Sequence, residues 1–108
     1  MKKLVLYIRG NFCPDVRRTR EFLEKNSVPH CVIDASVDSA ARDRVVNWTG
    51  YLSFPTVVVA DGDSLEPAEP PLPLKAGQSP RDVDRGTMLT EASTPTLERF
   101  LRRNGFLN

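Results

Sequence analysis

Leu4-Val5-Leu6-Tyr7-Ile8-Arg9-Gly10-Asn11-Phe12-Cys13-Pro14-Asp15-Val16 is the stretch on which the reading of this chain turns. Its first five residues form a continuous apolar run, the pattern of a strand covered on both faces in a parallel or mixed sheet. Arg9-Gly10-Asn11 breaks that strand. From Pro14 to Lys25 the spacing becomes helical, with Val16, Phe22 and Leu23 on one side and Arg17, Arg18, Arg20, Glu21 and Glu24 mostly on the other. Pro14 suits the first helical turn, where its missing N–H would have no partner anyway, and this makes Cys13 the expected N-cap. A thiol at that place meets unpaired N–H groups and a partial positive charge, which favour the thiolate, its nucleophilic form. Arg9, Arg17 and Arg18 can add to the effect, whereas the Asp15 carboxylate opposes a second negative charge nearby.

Working outward, Asn26-Ser27-Val28-Pro29 closes the helix and His30-Cys31-Val32-Ile33-Asp34 reads as a second strand, with Cys31 as a core residue and His30 as a solvated one. A second helix follows. Asp38 or Ser36 can cap it, Asp38 and Arg42 are spaced as an ion pair, Ala41, Val45 and Trp48 recur on its inner face, and Gly50 stops it. Phe54 to Ala60 is a third strand, entered through Pro55. From Asp61 to Asp84 no periodicity is evident, and Pro67, Pro70, Pro71, Pro73 and Pro80 interrupt any regular element. One reading turns a hairpin at once on Asp61-Gly62. The preferred reading puts the fourth strand at Gly86-Thr87-Met88-Leu89-Thr90 and leaves about 61–85 as a proline-rich surface insertion. The last helix spans Pro95 to Arg103, with Thr94 as cap, Leu97, Phe100 and Leu101 facing inward, and Gly105 as terminator. The element order is β-α-β-α-β-β-α, an α/β chain.

At 108 residues the chain fits one domain, 1–108, with one core. Fifteen basic and 14 acidic residues leave a net charge of +1, so no overall field selects nucleic acid or an anionic membrane as partner. No apolar run reaches the length of a membrane span and no secretory leader is evident at the N-terminus, so a cytoplasmic location is expected. The two cysteines are too few for a secreted disulfide framework and lack metal-ligand spacing, so reduced thiols and no metal site are expected.

Two motifs and the element order together carry a resemblance. Phe12-Cys13-Pro14-Asp15-Val16 resembles the Cys-Pro-Tyr-Cys site of the glutaredoxins with Val16 in place of the second cysteine. Ser53-Phe54-Pro55-Thr56-Val57 resembles their Thr-Val-Pro segment with its cis proline. The resemblance covers residues 1–60 well and 86–108 loosely. It implies a thioredoxin-like fold, with a four-stranded mixed sheet and flanking helices, and thiol-disulfide exchange by a monothiol mechanism with Cys13 as nucleophile. It further implies that Arg9, Phe12, Pro14, Arg17, Phe54, Pro55, Ser93 and Thr94 contact the substrate. Glutathione or another small thiol would then be the co-substrate, with no tightly bound cofactor, and the partners would be low-molecular-weight thiols or protein disulfides.

Departures from the family pattern leave the partner thiol open. The Gly-Gly pair that follows the fourth strand in glutaredoxins is replaced by Thr90-Glu91-Ala92-Ser93-Thr94, where the hydroxyls and the helix start can still hold a carboxylate and Glu91 can attract an ammonium. Arg9 lies four residues before Cys13 rather than three. The Cys-Gly-Phe-Ser signature of iron–sulfur-carrying relatives is absent, which disfavours a cluster. Cys13 and Arg17 share the Cys-x-x-x-Arg spacing of arsenate-reductase-like relatives, without the rest of that signature. The competing reading is a non-catalytic interaction module, in which Cys13 is a relic and the insertion and the groove beside Pro55 bind a protein.

Overall fold

The computed structural model describes residues 1–10 and 13–108, so Phe12 lies outside the described residues. Strand β1 (Lys2–Ile8) is central, hydrogen-bonded in parallel to β2 (Cys31–Asp34) and antiparallel to β3 (Thr56–Asp61), and β3 pairs antiparallel with β4 (Met88–Thr90). The sheet order is β2-β1-β3-β4. Helices α1 (Pro14–Lys25), α2 (Ser39–Thr49) and α3 (Thr94–Arg103) complete the order anticipated from the sequence. This is an α/β architecture with a four-stranded mixed sheet, consistent with a thioredoxin-like fold.

The apolar run in β1 is buried from Leu4 through Ile8 because strands flank it on both edges. Val16 and Leu23 of α1, Ala41 and Val45 of α2, and Leu97, Phe100 and Leu101 of α3 close over the sheet. Tyr7 is fully buried within this core, and its hydroxyl is satisfied at both lone pair and proton. It donates to the carbonyl of Leu65 and accepts from Nε of Arg44 at 3.1 Å. Its ring meets Trp48 edge-on at 5.4 Å, which keeps Trp48 packed against the core.

Four local expectations need correction. Cys31 is exposed rather than buried, because β2 is the outer strand of the sheet and Cys31 and Val32 both reach solvent. β4 begins at Met88, not Gly86: the chain is still turning there, with Gly86 at φ 84 and its N–H donated to Oδ1 of Asp84 at 2.9 Å. The cap of α3 is Ser93, whose side chain accepts from the Thr96 N–H, so Thr94 is already the first helical residue. Asp38 does cap α2, accepting from Ala41, but its carboxylate is used there and Arg42 turns to the Ala35 carbonyl instead.

The proline-rich segment between β3 and β4 forms no regular element, yet it is tied to the sheet near both ends and to itself between them. Ala68 donates to Val59, Leu72 to Arg85 and Asp82 to Thr90, at 2.8, 3.0 and 2.7 Å. Arg85 is only 7% exposed and inserts between the segment and α2, donating to the Leu72 carbonyl at 2.7 Å and the Trp48 carbonyl at 2.8 Å. Desolvation lowers the Arg85 pKa from its ordinary value. Among the described residues no buried side-chain nitrogen or oxygen lacks a partner.

Candidate functional site

β1 ends at Ile8 and the chain turns through Gly10, at φ 66, toward the start of α1. Asp34, at the end of the neighbouring strand, holds this turn by accepting the Gly10 N–H at 3.2 Å while also accepting from the backbone and hydroxyl of Ser36. The hydroxyl and N–H of Ser36, with a smaller contribution from Gly10, hold its carboxyl below the ordinary carboxylate value. Cys13 is the N-cap of α1 in extended conformation, with Pro14 at the first turn as the sequence requires. Its side chain makes no capping hydrogen bond, and it is half-buried against the core. The sulfur therefore sits at a helix N-terminus without being consumed as a structural acceptor.

Cys13 lines a cleft of about 230 Å³ together with Arg9, Leu52, Phe54 and Glu91. Of the residues singled out from the sequence, the structure brings Arg9, Cys13 and Phe54 to one cavity. Pro55 is buried directly behind Phe54, and the Phe54–Pro55 bond is cis. The Pro55 carbonyl accepts the Glu91 N–H at 2.8 Å, which binds the cis-proline turn to the end of β4. Among the described residues no hydrogen bond uses the Phe54 backbone, so its N–H and carbonyl can pair with an extended ligand.

Pro14 and Arg17 are exposed and do not line the cleft. Ser93 and Thr94 lie at the start of α3, where Ser93 caps the helix and gives its N–H to Asp82 at 2.8 Å, and neither lines the cleft. Glu91, which the sequence offers as an ammonium-attracting group, joins the cleft, and so does Leu52. Leu52 carries no sequence signal beyond its place near the proline turn. Glu91 adopts φ 47, in the left-handed region that favours glycine, at the region aligned above with the missing glycine pair.

The Asp15 carboxylate, expected from the sequence to oppose a second negative charge nearby, has two arginine partners. Asp15 is clasped by Arg18 at 2.6 Å and by Arg81 of the insertion at 3.1 Å. Burial pushes its carboxyl up, but the hydrogen bonds from Arg18 and Arg81 outweigh burial and leave it below its ordinary value. Arg81 also pairs with Glu91, and Arg18 reaches the Ala92 carbonyl at 3.3 Å.

Residues 4–64 match the sequence model of the glutaredoxin family. The chain belongs to the glutaredoxin family. A comparison with curated proteins found no match. The matched segment spans Cys13 and Pro55 and more than half of this glutaredoxin, and it supports a thiol-disulfide oxidoreductase type of function. It stops before Arg81, Glu91 and α3, so the far wall of the cleft lies outside the matched residues.

Both cysteines are free thiols. Cys31 lines a separate, mostly apolar cavity of about 560 Å³ with Leu4, Pro29 and Phe106, reached from the start of β1 rather than from its end. Val16, where a glutaredoxin with two cysteines carries its second sulfur, is fully buried. Among the described residues no group of three or more His, Cys, Asp or Glu could hold a metal ion, and no helix is long and apolar enough to cross a membrane.

Proposed function

We propose that this glutaredoxin performs monothiol exchange through Cys13 in a reducing compartment such as the cytoplasm. The Cys13 thiolate attacks one sulfur of a mixed disulfide, a new Cys13–S bond forms as the old S–S bond breaks, and the departing thiolate takes a proton from water. A second thiol then attacks the Cys13 mixed disulfide and restores the free enzyme. Val16 offers no sulfur for an intramolecular disulfide, so resolution comes from solution. The observation that carries this reading is Cys13 at the N-terminus of α1, uncapped and facing a cleft shared with Arg9 and Phe54.

The cleft accepts a small thiol through three kinds of contact. Arg9 offers a cation, Phe54 offers apolar surface and a free backbone edge, and the first turn of α1 offers N–H groups to the sulfur. Glutathione and other low-molecular-weight thiols fit this description, and so does an extended cysteine-bearing segment of a protein. No cofactor is needed for the exchange, since the disulfide itself is the oxidant.

Intact-protein mass spectrometry after incubation with glutathione disulfide, followed by peptide mapping, tests the reading. One small-thiol adduct on Cys13, removed by excess free thiol and absent in Cys13→Ser, is expected. Labelling confined to the exposed Cys31, with Cys13 unmodified across neutral pH, would overturn it.

A further inference from the structure

Arg81 stands in the proline-rich insertion, 68 residues beyond Cys13 in sequence, yet its guanidinium bridges Asp15, in the first turn of the helix that Cys13 caps, and Glu91, which lines the same cleft as Cys13. Asp15 is shared with Arg18, so it stays compensated whether or not Arg81 is present. Glu91 has no such reserve. Its ion-pair partner among the described residues is Arg81 alone, and its left-handed backbone and its N–H bond to Pro55 hold it at the cleft.

Arg81 is held in place independently of the ligand. Its backbone bridges to Thr90, and the next residue, Asp82, donates its N–H to the Thr90 carbonyl at 2.7 Å and accepts the Ser93 N–H at 2.8 Å. The insertion thus presents a cation to Glu91 from a backbone tied to β4 and the start of α3. A carboxylate facing a thiol cleft would bind the ammonium of an incoming disulfide; one already paired through Oε2 with a guanidinium attracts it less. With Glu91 so occupied, Arg9 is the remaining charged group among the described residues that line the cleft.

We propose that Arg81 is a specificity-determining residue for exchange at Cys13: by occupying the Glu91 carboxylate it weakens the cleft's ammonium-binding group and turns the cleft toward neutral and anionic disulfides. This rests on the reading of Cys13 as the exchanging thiol. The step itself is the one given above, in which the probe disulfide supplies the oxidant and its second half leaves as thiolate.

The test compares the rates at which cystamine, hydroxyethyl disulfide and dithiodipropionate, which are cationic, neutral and anionic at pH 7, thiolate Cys13 in a Cys31→Ser background. At low ionic strength Arg81→Gln is expected to raise the cystamine-to-hydroxyethyl ratio about two- to fivefold, the span open to exposed ion pairs, and to lower the dithiodipropionate ratio. At about 1 M salt, where screening acts over roughly 3 Å, the change should largely vanish. Glu91→Gln supplies an independent arm, because it removes the carboxylate and leaves Arg81 paired with Asp15 alone, and it should lower the cystamine ratio. In the double variant the Arg81→Gln effect should disappear.

Unchanged ratios in Arg81→Gln, with Cys13 still reacting with the neutral probe, would overturn the assignment of Arg81 and leave the thiol-exchange reading intact. A rise in the cystamine ratio in Glu91→Gln would overturn it as well. A wild-type Cys13 inert to all three probes would overturn the exchange reading and this assignment with it.

Discussion

The described residues of the stretch 2–61 and the segment 62–87 satisfy their backbones in different ways. The first region does so by repetition, in strand ladders and helical turns whose partners recur at fixed spacing. The second region has no such repeat. Its prolines remove donors, and its remaining polar groups find partners one at a time: Ala68 on Val59, Leu72 on Arg85, Asp82 on Thr90, and the Thr87 hydroxyl on the Glu69 carbonyl. Where a helix would use its own carbonyls, this segment uses the side chain of Arg85 to join itself to Trp48 at the end of α2. An aperiodic sequence is thus compatible with a closely bonded structure, and in this glutaredoxin the bonded segment supplies Arg81 to Glu91 at the edge of the Cys13 cleft.

The sharpest way to break that comparison is Arg85→Ala. If the insertion is bonded as described, the variant leaves the Trp48 and Leu72 carbonyls without their donor and removes a buried side chain, and unfolding in urea should show a loss of about 2–4 kcal/mol. A passive surface loop would lose less than about 0.5 kcal/mol.

Tyr7→Phe probes the opposite end of the same attachment. It keeps the ring against Trp48 but removes the hydroxyl that joins β1 to Leu65 and Arg44, so a loss of about 1 kcal/mol is expected by the same measurement. A change near zero would show that water replaces the Leu65 contact without cost.

Acid titration gives the smallest effect and compares the regions directly. Asp34 clasps the turn before Cys13, and Asp82 clasps the insertion to the start of α3. The Asp34 carboxyl is lowered chiefly by Ser36, while Asp82 is raised by burial but lowered more by Ser93, Thr96 and Arg81. Both folded-state values therefore lie below the unfolded ones. The stability each contributes is fully present above the ordinary aspartate value and is lost as pH falls through the lower folded value. Stability should accordingly decline below about pH 4, and Asp34→Asn and Asp82→Asn should each remove part of that decline. An unchanged pH profile in both variants would show that neither clasp survives in solution.

Much of the first region was legible in the sequence because its signals are local. The apolar run of β1, the switch to helical spacing at Pro14 and the stop at Gly50 each depend on neighbours a few residues away, and all three are present in the structure. Cys13 at a helix start was legible for the same reason. The cap of α3 was misplaced by one residue because Ser93 and Thr94 are both good caps, and only the hydrogen bond to Thr96 separates them.

The order of elements and the place of the thiol follow from local signals, because periodicity and proline chemistry act along the chain. The tertiary structure alone decided which strand lies at the sheet edge, and with it that Cys31 is exposed while the equally apolar β1 is buried. It alone decided that Asp15 and Glu91 meet Arg81, since ion pairs between residues 66 and 10 positions apart leave no mark in local spacing. Strand order and charge pairing are properties of the packed chain, and they set the surroundings of Cys13.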